Sequence, residues 1–305
     1  MEKNALVRDY QYHIDAYTQM LRNINSPDNT IRNYVTYMEQ FLSWLDKNKE
    51  VQDLCEIPWA YFREYEGYLQ KVRGLKGNTV NQHICAIKKY FEVVLERDWN
   101  NKAVPKVKFD KFRGAVPIDN EVITIIKNAN GINQRLEIAL MAFCGLRVDE
   151  LVRLTFSDIR RARNTLYVKK SKGHEDREVP LSPTLISLLT RYVQSLPKPW
   201  PKPEDYIFPG RNPGRHVTTT TVEKHLYAVL KKLGWEDRNY TCHSFRKYFG
   251  CTQYLAHPDD MPRLAAIMGH SSLSSTMVYI RLAAAFKAAM DDFKRVDELM
   301  RRAEI

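Results

Sequence analysis

At 305 residues the chain is long enough for two domains of ordinary size, each taking ~100 to 200 residues. Apolar residues make up 44% and charged residues 27%, the balance of a folded globular protein rather than a disordered one, and no apolar run approaches the ~18 residues of a spanning helix. The net charge of +11 is uneven: residues 1 to 103 carry 14 basic and 14 acidic side chains and residues 104 to 305 carry 33 and 22, so the second part is expected to meet a polyanion such as nucleic acid or an anionic membrane surface.

The N-terminal stretch MEKNALVRDYQYHIDAY mixes acids, bases and tyrosines and has no apolar heart of a secretory signal, so a cytoplasmic protein is expected. The cysteines number five, and none forms a CxxC pair or has a histidine at zinc-finger spacing, so they are read as reduced thiols.

In chain order, NTIRNYVTYMEQFLSWLDKN places Ile31, Tyr34, Met38, Phe41, Leu42 and Leu45 three and four apart, the stripe of an amphipathic helix opened by the turn SPDN. A further helix is predicted over PWAYFREYEGYLQKV, opened by Pro58. GNTVNQHICAIKKYFEVVLERDW predicts another, with Val80, Ile84, Ile87, Phe91 and Leu95 on one face. Residues 1–103 are therefore read as a helical domain. Residues 104–118 lie in a stretch with two prolines, basic side chains and no helical stripe, and are expected to link it to a second domain over 119–305.

In that second domain EVITIIKNA and QRLEIALMAFCG predict helices, the latter stopped by Gly145. NTLYVKKSKGHEDREVPL alternates at Leu166, Val168, Val179 and Leu181 around a polar tip, the pattern of a β-hairpin. Helices are again expected over SPTLISLLTRYVQSL, TTTTVEKHLYAVLKKLG, and from Cys242 onward. Gly269 should close a helix that begins near Asp259 and Asp260 with Pro262 in its first turn.

Four short blocks exceed what helix and strand patterns require. GLRVDEL sets Arg147 just past a helix break, with Glu150 three residues on. SKGHEDREVPL puts Lys172 at the hairpin tip, beside a glycine that permits a tight turn, with Lys169 and Lys170 as nearby alternatives. CHSFRKYFG holds His243 and Arg246 on one side of a helix. MGHSSLSSTMVYI supplies His270 and, nine residues on, Tyr279. Each taken alone has an ordinary reading: an ion-paired arginine, a solvated turn lysine, a capping histidine, a core tyrosine.

Taken together, Arg147, Lys172, His243 with Arg246, His270 and Tyr279, in the contexts GLRxxEL, SKG followed by RxVPL, HSFR and GHSS, resemble the tyrosine recombinase (phage integrase) family over nearly the whole chain. The size resembles the simple two-domain, Xer-like or mobile-element members, without the extra N-terminal arm-binding module of larger phage integrases. The resemblance implies a mainly α fold with a small β-hairpin or sheet, arranged as a C-shaped clamp of a helical, SAM-like core-binding domain and a catalytic domain. It implies a site-specific recombinase that cleaves and rejoins double-stranded DNA through a 3′-phosphotyrosine.

Tyr279 would then be the nucleophile, Arg147 and Arg246 forks on the scissile phosphate, His270 a further donor to it, and His243 the acceptor of the phenol proton. Lys172 would protonate the leaving 5′ oxygen, and Glu150 would orient Arg147 or His243. No cofactor, metal or ATP is expected. The expected partners are DNA target sites, three further copies of the chain engaged through a C-terminal helix over 283–305, and in some settings a related recombinase or accessory factor; the location is cytoplasmic, on the nucleoid. A type IB topoisomerase-like enzyme and a catalytically silent DNA-binding accessory protein are the competing readings.

Overall fold

The computed structural model describes residues 4–51, 53–109, 115–169, 176–197, 201–270, 276–277 and 282–283. By its internal packing the chain divides into two units, Met1–Phe112 and Arg113–Ile305.

The first unit is built on α1 (Asn4–Asn23), α2 (Asp28–Asn48), α3 (Trp59–Lys71) and α4 (Gly77–Val93). Helix α1 joins the bundle through Ile14, Tyr17 and Leu21, which recur at helical spacing and are buried. The Tyr17 hydroxyl donates to the Ala86 carbonyl of α4 at 2.6 Å, so a phenol inside the core is satisfied as well as packed. The predicted α2 stripe is buried at Met38, Phe41, Leu42 and Leu45. Phe41, Phe62 and Phe91, one each from α2, α3 and α4, pack with Trp99 into an aromatic centre in which edge-to-face contacts predominate.

Helix α4 stops at Val93, earlier than the apolar stripe suggests. Glu96 takes a left-handed φ of 52°, and the Arg97 N–H turns back to the Phe91 carbonyl. Leu95 still packs on the core, from a turn instead of a helix. Residues 104–109, expected to be connector, pack on the first unit. Val104 is buried, and the Asn81 side chain both donates to and accepts from the Val107 backbone at 2.9 Å, as a neighbouring strand would.

The second unit opens with α5 (Asp119–Asn128) and α6 (Gly131–Cys144). From Leu136 to Ala142 every residue of α6 is buried, so this helix is surrounded by its own unit. The short α7 (Val148–Val152) leads into a three-stranded antiparallel sheet of β1 (Ile159–Arg160), β2 (Thr165–Val168) and β3 (Arg177–Pro180), in the order β1-β2-β3. The predicted hairpin is β2–β3, with Leu166 opposite Val179 and Val168 opposite Arg177. Its tip, including Lys172, lies outside the described residues.

Four helices follow: α8 (Pro183–Ser195), α9 (Thr219–Lys232), α10 (Cys242–Ala256) and α11 (Met261–Met268). Ser182 caps α8 and Asp260 caps α11, each accepting an N–H of the first turn, and each of these helices carries proline at one of its first two positions. Helix α11 closes as a Schellman turn: Gly269, at φ 61°, donates to Ala266 and His270 donates to Ala265. The unit is thus mostly helical with one small sheet. Tyr279 and the C-terminal helix expected over 283–305 fall outside the described residues, Ala283 excepted.

Candidate active site

Five elements, α6, α7, β3, α10 and α11, meet within the second unit. The first contributes the turn after α6. Gly145 sits at φ 63°, and a Cβ there would collide with the Phe249 ring of α10, so both the backbone conformation and the close approach demand glycine. That turn delivers Arg147 to the N-cap of α7. Glu150, three residues on, accepts the Arg147 backbone N–H at 2.9 Å, as the acid of a capping box does.

Glu150 is directed inward, with 1% of its side chain exposed. Its carboxylate accepts from Arg147 Nη1 at 2.8 Å and from Arg177 Nη1 and Nη2 at 3.0 and 2.7 Å. Arg246 Nη1 stands 3.7 Å from the same carboxylate. Burial would raise its pKa, but the hydrogen bonds and charge of Arg177, the Arg147 N–H and the charge of Arg246 together hold it down at about 2. The carboxylate is therefore ionised throughout the neutral range.

Arg246 enters from α10 and is almost wholly enclosed, at 1% exposure. Its Nη1 donates to the Gly145 carbonyl and its Nη2 to the Met268 carbonyl, each at 2.5 Å. The guanidinium thus ties the turn after α6 to the end of α11. His270 follows that end, with Nε2 3.3 Å from Arg246 Nη2 and Nδ1 2.9 Å from Thr276 Oγ1. Since a guanidinium only donates, a neutral ring in this arrangement would accept at Nε2 and donate from Nδ1 to Thr276.

His243 lies one turn before Arg246 on α10. The residue is exposed in part. Burial of the packed side, then the charges of Lys247, Arg246 and Arg147, lower its pKa to about 4, so the imidazole is neutral at pH 7 and able to take a proton. Three guanidinium groups around one carboxylate, those of Arg147, Arg177 and Arg246 around Glu150, leave a positive excess suited to a phosphodiester.

The structure thus brings Arg147, Glu150, His243, Arg246 and His270 together. Lys172 and Tyr279 lie outside the described residues. Arg177 belongs to the cluster although no role was expected of it. Its signal was present in the sequence: Arg177, Val179 and Leu181 alternate along one strand face, and all are buried, so a cation sits on the inward face. Among the described residues no group of three or more His, Cys, Asp or Glu side chains is placed to hold a metal ion.

The chain is similar to known proteins along most of its length. The model of the phage integrase family matches residues 119–285, and that of the phage integrase N-terminal SAM-like domain matches residues 13–101. Tyrosine recombinase XerC of Leptospira interrogans is 28% identical over 84% of this chain and 84% of its own. Tyrosine recombinase XerA of Pyrococcus horikoshii is 26% identical over 88% of each. Among solved structures, the Tn1549 transposon integrase in complex with transposon right end DNA superposes with a TM-score of 0.69 at 18% identity, covering 92% of this chain and 98% of that one, a likeness of fold.

Proposed function

The chain belongs to the phage integrase family, and we propose that it is a site-specific tyrosine recombinase, exchanging strands between two double-stranded DNA sites through a 3′-phosphotyrosine. The observation that carries this reading is the convergence of Arg147, Arg246, His243 and His270, with a neutral imidazole beside the guanidinium groups.

The scissile phosphodiester gains negative charge on its non-bridging oxygens as it is attacked. Cationic donors already in position stabilise that charge without reorganising. Arg147 and Arg246 serve as those groups. His270 joins them once a proton resides on Nε2, the nitrogen nearest Arg246.

Tyr279 Oη attacks phosphorus and passes its proton to the neutral His243. The bond from phosphorus to the 5′ oxygen breaks, and Lys172 gives that oxygen a proton. The products are a 3′-phosphotyrosine and a free 5′-hydroxyl. The bond energy is kept in the phosphotyrosine, so a 5′-hydroxyl from a second strand reverses the step without ATP or a metal ion.

The basic second part of the chain holds the phosphate backbone, which makes binding salt-sensitive. The N-terminal unit adds contacts to the DNA, with a helix in the major groove. Two sites require four copies of the chain, joined through the segment 283–305. No helix among the described residues is long and apolar enough to cross a membrane, and a cytoplasmic location on the nucleoid fits this reading.

A nicked suicide substrate tests the chemistry. The wild-type protein should form a covalent adduct with DNA that persists in EDTA, and Tyr279→Phe should form none. An adduct undiminished in Tyr279→Phe would refute the assignment of the nucleophile. Exchange between two sites, against relaxation of a supercoiled plasmid, separates a recombinase from a topoisomerase.

A further inference from the structure

Glu150 is shared unequally by its arginines. Arg177 reaches both carboxylate oxygens, Oε1 at 3.0 Å and Oε2 at 2.7 Å, in the two-pronged geometry of a fork. The Arg147 side chain reaches Oε1 alone, at 2.8 Å, while its backbone N–H occupies Oε2. A carboxylate offers about four lone-pair sites. Two donors from Arg177 and two from Arg147 fill them.

An arginine beside an otherwise unoccupied carboxylate closes a two-pronged pair of its own. Arg147 is prevented from doing so because Arg177 already holds the second position on each oxygen. Only Nη1 of its side chain bonds Glu150, and the side chain keeps 24% exposure, against 4% for that of Arg177.

We propose that Arg177 is a positioning residue for DNA cleavage: by saturating Glu150 it stops the carboxylate from capturing Arg147, and so keeps the Arg147 fork available to the scissile phosphate. The proposal rests on the reading above, in which Arg147 binds that phosphate. Arg177 is itself buried at 7% exposure and acts through Glu150. Two features hold it there. It begins β3 opposite Val168, and Gly269 leaves room for it, since a Cβ on Gly269 would stand 3.0 Å from Arg177 Nη1.

The test is a cycle of variants on the full chain: wild type, Arg177→Met, Glu150→Gln and the double variant, with the adduct on a nicked suicide substrate as readout. Rates are taken per folded molecule, with the folded fraction read by near-UV circular dichroism well below each melting temperature. Arg177→Met should slow adduct formation about 10- to 100-fold, the usual loss when a group that orients a ligand is removed. In the Glu150→Gln background the same substitution should change the rate less than about threefold, because no carboxylate remains to capture Arg147.

A merely structural Arg177 would cost the same factor in both backgrounds. Should Arg177→Met fail to fold, the comparison of Glu150→Gln with the double variant still decides, because the double variant buries one charge fewer than Glu150→Gln. A loss in that background as large as about tenfold, or Arg177→Met cleaving at the wild-type rate, overturns the positioning role and leaves the recombinase reading intact. Absence of any adduct from the wild-type protein overturns the recombinase reading instead.

Discussion

Replacing Glu150 with glutamine preserves its shape and removes the negative charge that Arg147, Arg177 and Arg246 share. With its pKa held at about 2, against ~4.3 for an ordinary glutamate, the carboxylate contributes about 3 kcal/mol to the folded state at neutral pH. Breaking a buried ion pair on one side costs ~3 to 5 kcal/mol, a range that agrees. In calorimetry of the full chain, the transition of the C-terminal unit should fall by about 6 to 12 °C at pH 7, from the ~2 to 4 °C per kcal/mol expected of a unit this size.

The sign of the pH dependence follows from the depressed pKa. The contribution is fully present above the unfolded value of ~4.3 and is lost as pH falls through the folded value, with roughly half gone by pH 3. The gap between wild type and Glu150→Gln should therefore narrow below about pH 4. A melting temperature within about 2 °C of wild type at pH 7 would refute the account of Glu150 as the counterion of buried arginines. So would a gap that stays constant down to pH 3.

Two further predictions concern neighbouring residues. The His243 ring, its pKa lowered to about 4, should show an NMR titration midpoint well below the ordinary ~6.5 in the DNA-free protein; with that sign, stability is full above ~6.5 and falls as pH drops from there through the folded value, and a midpoint near 6.5 would refute the account of burial and neighbouring cations acting on the ring. Gly145→Ala should destabilise by more than the ~1 to 2 kcal/mol of a left-handed alanine, because the added methyl also meets the Phe249 ring, and an unchanged melting temperature would show that the turn after α6 is not pinned as described.

Much of the site was legible because its residues sit where local sequence rules are strongest. Gly145 and Gly269 punctuate helices, and both adopt the left-handed conformation that glycine at a helix end signals. Each leads directly into a stretch of the candidate site, Arg147 after one and His270 after the other. The spacing of His243 and Arg246 needs only the helical period, and the register of β2 with β3 follows from their alternation.

What escaped the sequence depends on contacts between distant segments or on signals too short to carry a period. Strand β1 is a pair of residues, Ile159 and Arg160, which cannot alternate enough to be read. Leu95 continues the stripe of α4 although the helix has ended, because the pattern records burial and a turn can bury a leucine as well as a helix can. The pinning of Val107 by Asn81 spans 26 residues and depends on the fold alone.

Arg177 is the instructive case. An arginine on the inward face of a strand violates the pattern of its own strand, and such a violation must be compensated by a buried partner. Which acid that partner is, the strand pattern does not say. Glu150 is 27 residues away and could equally have been read as the partner of Arg147, which it also is. Its double engagement is what makes the pattern functional: a carboxylate with a single arginine would close on it, and a carboxylate held by a second arginine leaves the first able to meet a phosphate.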